Sequence, residues 1–166
     1  QSDGKIVVAG YSFNSGGYSV VTLVRYNADG TADTSFGESG KVTTEVGRNS
    51  DDAHGVALQS DGKIVIAGDT LAPGNNDFAV ARYDANGSLD TAFNGTGKAT
   101  ADFSKIDYGR SVALRSEGKI VVAGYTTKSF ESKKECALAC FKANGSLDTS
   151  FNRTGKVTTD FGGDGD

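Results

Sequence analysis

The chain has 166 residues, 23 glycines, a single proline and a formal net charge of −4. That length suits one domain with a real core, and glycine without a collagen period suits an all-β chain rich in hairpins. Charges of both signs are interspersed without a basic stripe, which argues against a nucleic-acid partner, and no apolar run nears the ~18 residues of a spanning helix, so no membrane insertion is expected.

The chain is organised by a repeat. Asp3-Gly4-Lys5-Ile6-Val7-Val8-Ala9-Gly10 returns at 61–68, and returns at 117–124 with Glu117 in place of Asp. A period of about 57 residues signals a repeat architecture. Each copy is a turn followed by a short run apolar on both faces, and its Ile, Val and bounding Gly favour a strand.

In chain order, residues 5–10 form the first such strand, b. Residues 21–26 alternate and form strand c, 32–36 cross irregularly, and 41–46 form strand d. The second copy is complete. Residues 53–58 are strand a, 59–62 the Asp-Gly turn, 63–68 strand b, and 69–77 a variable loop carrying Pro73. Strand c spans 78–83, an Asn86-Gly87 turn follows, 88–93 cross, and strand d spans 98–103. In the third copy, strand a starts near Arg110, b is 119–124, c is 136–141, 147–151 cross, and d is 156–161.

The expected fold is therefore all-β and propeller-like. It has about eleven strands in three antiparallel blades, units 1–51, 52–107 and 108–166, with the first blade lacking its inner strand. Strand d, with Lys41, Thr43 and Glu45 alternating, reads as a wet outer edge, so polarity is expected to rise from a and b outward to d. A chain that opens without Met inside a repeat reads as a piece of a longer or processed protein.

The combination Asp-Gly-Lys-Ile-Val-Val-Ala-Gly, then Ala-Arg-Tyr-x-Ala-Asn-Gly-Ser-Leu-Asp-Thr-x-Phe, then Gly-Lys resembles the delta-60 repeat family of bacterial β-propeller-like proteins. The resemblance covers essentially the whole chain. It implies a setting in large secreted or surface-attached proteins and brings no catalytic residues. Cys140 departs from it, standing where Arg25 and Arg82 stand.

Candidate sites are few. Asp33, Asp90 and Asp148 precede a Thr and then a Phe, and read as turn carboxylates accepting backbone N–H groups. Pairing with the strand-c Arg reads as secondary, because Asp148 persists where Arg has become Cys140. Residues 84–90 carry alternating oxygens like a calcium loop, but Gly87 stands at position four instead of six, so no metal is expected. His54 is the only histidine, which leaves no triad or His cluster to build. His54 aligns with Arg110 at the start of strand a, near a channel mouth, where an anionic ligand would meet them. Asn86, Asn94, Asn144 and Asn152 match the glycosylation pattern. Cys136 and Cys140 read as small core residues. At i and i+4 on one strand they lie about 13 Å apart, beyond the roughly 7 Å a disulfide tolerates.

Three function classes follow. The favoured one is a non-catalytic structural or assembly module of a secreted or cell-surface protein, extracellular fibres included. Further repeats or another copy would complete it along the edge Lys5, Ile6, Val7, Val8, Ala9 and Gly10. A ligand- or glycan-binding propeller is the alternative, with Phe13, Tyr18 and Phe130 in the b–c loops as ligand contacts and carbohydrate as a candidate partner. An enzyme with a channel-mouth site comes last, and no cofactor is implied.

Overall fold

A computed structural model describes residues 1–47, 49–129 and 133–162. Among the described residues, eleven strands run in order: β1 (Ile6–Phe13), β2 (Ser19–Tyr26), β3 (Lys41–Thr44), β4 (Asp51–Leu58), β5 (Ile64–Leu71), β6 (Asn76–Tyr83), β7 (Lys98–Ala101), β8 (Ile106–Leu114), β9 (Ile120–Thr127), β10 (Lys134–Phe141) and β11 (Lys156–Thr159). They form three antiparallel sheets, β1-β2-β3, β4-β5-β6-β7 and β8-β9-β10-β11. The second and third carry an inner strand, β4 or β8, that the first lacks. β1 is thus an edge strand.

The sheets stack face to face through alternating residues. Val65, Ala67, Phe78, Val80 and Phe93 of the second sheet pack on Ile120, Val122, Ala139 and Phe141 of the third. The opposite face of the second sheet, with Ile64, Ile66, Ala81 and Tyr83, packs on Val21, Leu23 and Phe36 of the first. β5 and β6 therefore face apolar neighbours on both sides and are almost wholly buried. This corrects the expected polarity gradient. Burial peaks at strands b and c, while inner strand β4 exposes His54, Val56 and Leu58 along one face.

Strand ends also shift. β5 and β6 extend into the predicted loop and leave only residues 72–75 between them. Strand d is shorter than expected because an Asp in the inner strand of the next sheet takes its amides. Asp51 accepts the N–H groups of Val46 and Gly47 at 2.8 and 2.9 Å, and Asp107 accepts that of Phe103 at 2.7 Å.

The Asp-Gly and Asn-Gly turns of the repeat are not two-residue hairpin loops. At 84–87 the Gly87 N–H donates to the Asp84 carbonyl at 2.9 Å, and Gly87 alone takes positive φ, at 94°. This is a type I turn followed by a left-handed glycine. Residues 1–4, 27–30, 59–62 and 142–145 repeat it.

Candidate functional site: the inter-unit joint and the His54–Arg110 cluster

The crossing segments build the joint between sheets. Asp33, Asp90 and Asp148 each accept the N–H two residues on through Oδ1, at 3.1, 3.1 and 3.2 Å. The turn role is as expected, but the ion pair is equally present. Oδ2 meets Arg25 Nε or Arg82 Nε at 2.7 Å, and the strand-b lysines Lys5, Lys63 and Lys119 at 2.9, 3.2 and 2.9 Å. Asp148 persists opposite Cys140 because Lys119 still pairs with it. The Ser150 hydroxyl and Lys119 hold the Asp148 carboxyl down at about 2.

Each strand-c arginine also reaches the following unit. Arg25 Nη1 donates to the Ala85 carbonyl, and Arg82 Nη1 donates to that of Ala143 at 2.6 Å. Backbone bonds run alongside: Gly37 N–H to Asn86 carbonyl at 2.9 Å, and Asn94 N–H to Asn144 carbonyl at 2.7 Å. The turn of each unit therefore plugs into the crossing segment of the unit before it. A Cβ on Gly87 would lie 2.8 Å from Val42 Cγ2 and 2.9 Å from Phe36 Cε2.

The two end faces carry the same positions without partners. Ile64 and Ile66 are fully buried against the first sheet, whereas their counterparts Ile6 and Val8 are 52% and 48% exposed. On the other end, Cys136 is exposed where Val21 and Phe78 are buried. This corrects the reading of Cys136 as a core residue. Cys140 is buried, and neither thiol is in a disulfide.

The edge strand bears the same mark. Strand a bulges at His54 and at Arg110, where its register against strand b shifts. A Cβ on Gly68 would collide with the Asp52 carbonyl, and one on Gly124 with that of Tyr108. The equivalent Gly10 has nothing within 4 Å of such a Cβ.

The bulges aim His54 and Arg110 at each other. Arg110 Nη1 lies 2.6 Å from His54 Nε2 and 3.7 Å from Asp69 Oδ1, and Nη2 donates to the Tyr125 hydroxyl at 3.3 Å. The guanidinium carbon stands 5.0 Å and 5.4 Å from the ring centroids of Tyr108 and Tyr125. Asp52 sits opposite Asp69 across the ladder. Burial pushes Asp69 up to about 7, against the pull of Arg110 and with the push of Asp52. Burial, then Arg110, lowers the His54 imidazole. The sequence aligns His54 with Arg110 at the start of strand a, whereas both lie at bulges within β4 and β8 and meet each other, and it does not point to Asp52, Asp69, Tyr108 and Tyr125. The signal lay in comparing copies: the positions holding Asp52 and Asp69 hold Tyr108 and Tyr125 one unit on.

Phe13, at the end of β1, and Tyr18, just before β2, are 70% and 49% exposed, and Phe130 lies outside the described residues. Asn86, Asn94, Asn144 and Asn152 are all exposed. Asn94 and Asn152 commit Nδ2 to the Lys98 and Lys156 carbonyls at 2.9 Å, whereas Asn86 and Asn144 engage through Oδ1.

Three sheets of one repeat, stacked face to face and joined turn-to-crossing, define a protein of β-propeller blades. The chain belongs to the family described as a domain of unknown function (DUF5122) beta-propeller, which matches residues 1–36, 59–93 and 116–151. This is the delta-60 type of repeat. No curated protein matches the chain.

Proposed function

We propose that the chain is a non-catalytic structural module of a secreted or cell-surface protein, completed by further units of the same repeat or by another copy. One observation carries this reading: positions buried at both internal joints stand exposed at both ends. Gly10 supports it, since the clearance its counterparts need for strand a is kept where strand a is absent. Closed propellers use about four to eight blades, more than three. Continuation of the array supplies the missing contacts. So does a second copy, as two halves of a ring or head to tail in an open filament.

The test supplies the strand. Gln1 aligns with Gln59, so a copy of 51–58 fused ahead of Gln1 places an inner strand and its turn in register with β1. A higher melting midpoint and slowed exchange of the outward β1 amides are expected. No change in either contradicts the reading.

A second reading is favoured by the His54–Arg110 cluster, whose residues depart from the repeat. Exposed Arg110 over two tyrosine rings suits an anionic or carbohydrate ligand. Glycan-array binding that disappears in Arg110→Ala is its expected outcome.

A further inference from the structure

We propose that Asp77, Asp102 and Asp107 form a Ca²⁺ site that pins the second sheet to the third. Asp77 opens β6, Asp102 follows β7 and Asp107 lies in β8, and one carboxylate oxygen from each falls within 4.8 Å of the others. Two ligands of one calcium ion, each about 2.4 Å from it, lie up to about 4.8 Å apart, so the spread fits.

The independent sign of a ligand is Asp77. The residue is 8% exposed, and its Oδ1 is buried without a hydrogen-bond partner. A buried carboxylate oxygen left bare beside two more carboxylates is costly unless a cation meets it. The other two acids are held in place. Asp107 accepts the Thr126 hydroxyl and the Phe103 N–H, and Asp102 accepts the Ser104 N–H. Of the nearby lysines, Lys156 donates Nζ to the Asp102 backbone carbonyl and sets one positive charge against the three carboxylates, while Lys105 pairs with Glu135 at 2.6 Å. Asp102 is exposed, so an ion reaches the trio from solvent and keeps waters on its open side.

Comparing units sets the site apart from the shared scaffold. Asp107 repeats Asp51, which likewise takes the strand-d amides and a threonine hydroxyl. Asp77, however, stands where the first unit has Val20. The first joint therefore has no such trio, and the joint does not need one to form.

The test uses the whole chain and two substitutions. Asp77→Val restores the first unit's residue, and Asp102→Asn alters an exposed ligand. With about 10 mM CaCl₂ the wild-type melting midpoint should rise by about 3 °C or more above a NaCl control of equal ionic strength. The rise should vanish in Asp77→Val and shrink in Asp102→Asn, with the metal-free midpoint of Asp77→Val no lower than wild type. Absence of the wild-type rise, its survival in Asp77→Val, or an equal response to MgCl₂ would overturn the assignment.

Discussion

At the scale of single residues, the chain separates carboxylates that serve the scaffold from those that strain it. Asp148 is held low by a hydroxyl and a lysine, so its contribution is present above the unfolded value and is lost as pH falls toward about 2. Asp69 runs the other way. Its folded value of about 7 lies above the unfolded one, so its contribution is full in acid and is lost as pH rises through about 7. Asp77, pushed up to about 6 first by burial and then by Asp102 and Asp107, acts in the same direction. Urea titrations from about pH 4 to about pH 8 should show Asp69→Asn gaining stability relative to wild type as pH rises. Parallel curves would contradict the cluster's electrostatics. At the joint, Arg82 is 7% exposed and bonds Asp90 and the next unit's Ala143 carbonyl. Arg82→Ala should cost about 3 kcal/mol, because it leaves both groups short of a buried partner. A loss within the few tenths expected of a surface charge would show that the clasp contributes little.

Among the elements, a turn glycine at an internal joint has two structural duties, and a b-strand glycine has one. Gly87 takes a left-handed φ and also clears Phe36 and Val42. Gly87→Val should therefore cost about 2 kcal/mol or more in chemical denaturation, from strain and overpacking together. An unchanged midpoint would contradict the plug. Gly68→Ala and Gly124→Ala should likewise destabilise by about 2 kcal/mol or more, since a backbone carbonyl blocks the methyl group, whereas Gly10→Ala should be tolerated in the isolated chain. Equal losses at Gly10 and Gly68 would show that the bulged strand is not the reason for this glycine. These elements were largely legible in the sequence. Strand number, order and the three-strand first sheet follow from the recurring Asp-Gly-Lys-Ile-Val run and its offset from Gln1. Strand ends were not legible, because Asp51 and Asp107 capture amides that follow strand d of the previous sheet, a contact that local pattern does not carry. The Arg25 and Arg82 clasps were hidden for the same reason, their carbonyl partners lying in the next copy. The His54–Arg110 pair was legible from aligned positions, and the acids and tyrosines around it only from asking where copies differ.

For the whole molecule, the repeat makes a joint with two different halves, a turn-bearing face and a crossing-segment face. Both internal joints are filled, and one half of each kind is left at the ends. The first end carries exposed Ile6 and Val8 beside an unpaired β1 edge, an arrangement that invites another strand or another face. The central claim is that these ends are joint halves made to be covered. Sedimentation equilibrium of the 166-residue chain across micromolar concentrations tests it most directly, read together with amide exchange over residues 5–10. The account predicts a mass that rises above 17.1 kDa with concentration and falls back in an Ile6→Glu, Val8→Glu variant. It further predicts outward β1 amides that exchange fast in the monomer and slowly in the assembly. A stable, well-folded monomer at every concentration, with those amides already protected, would contradict it.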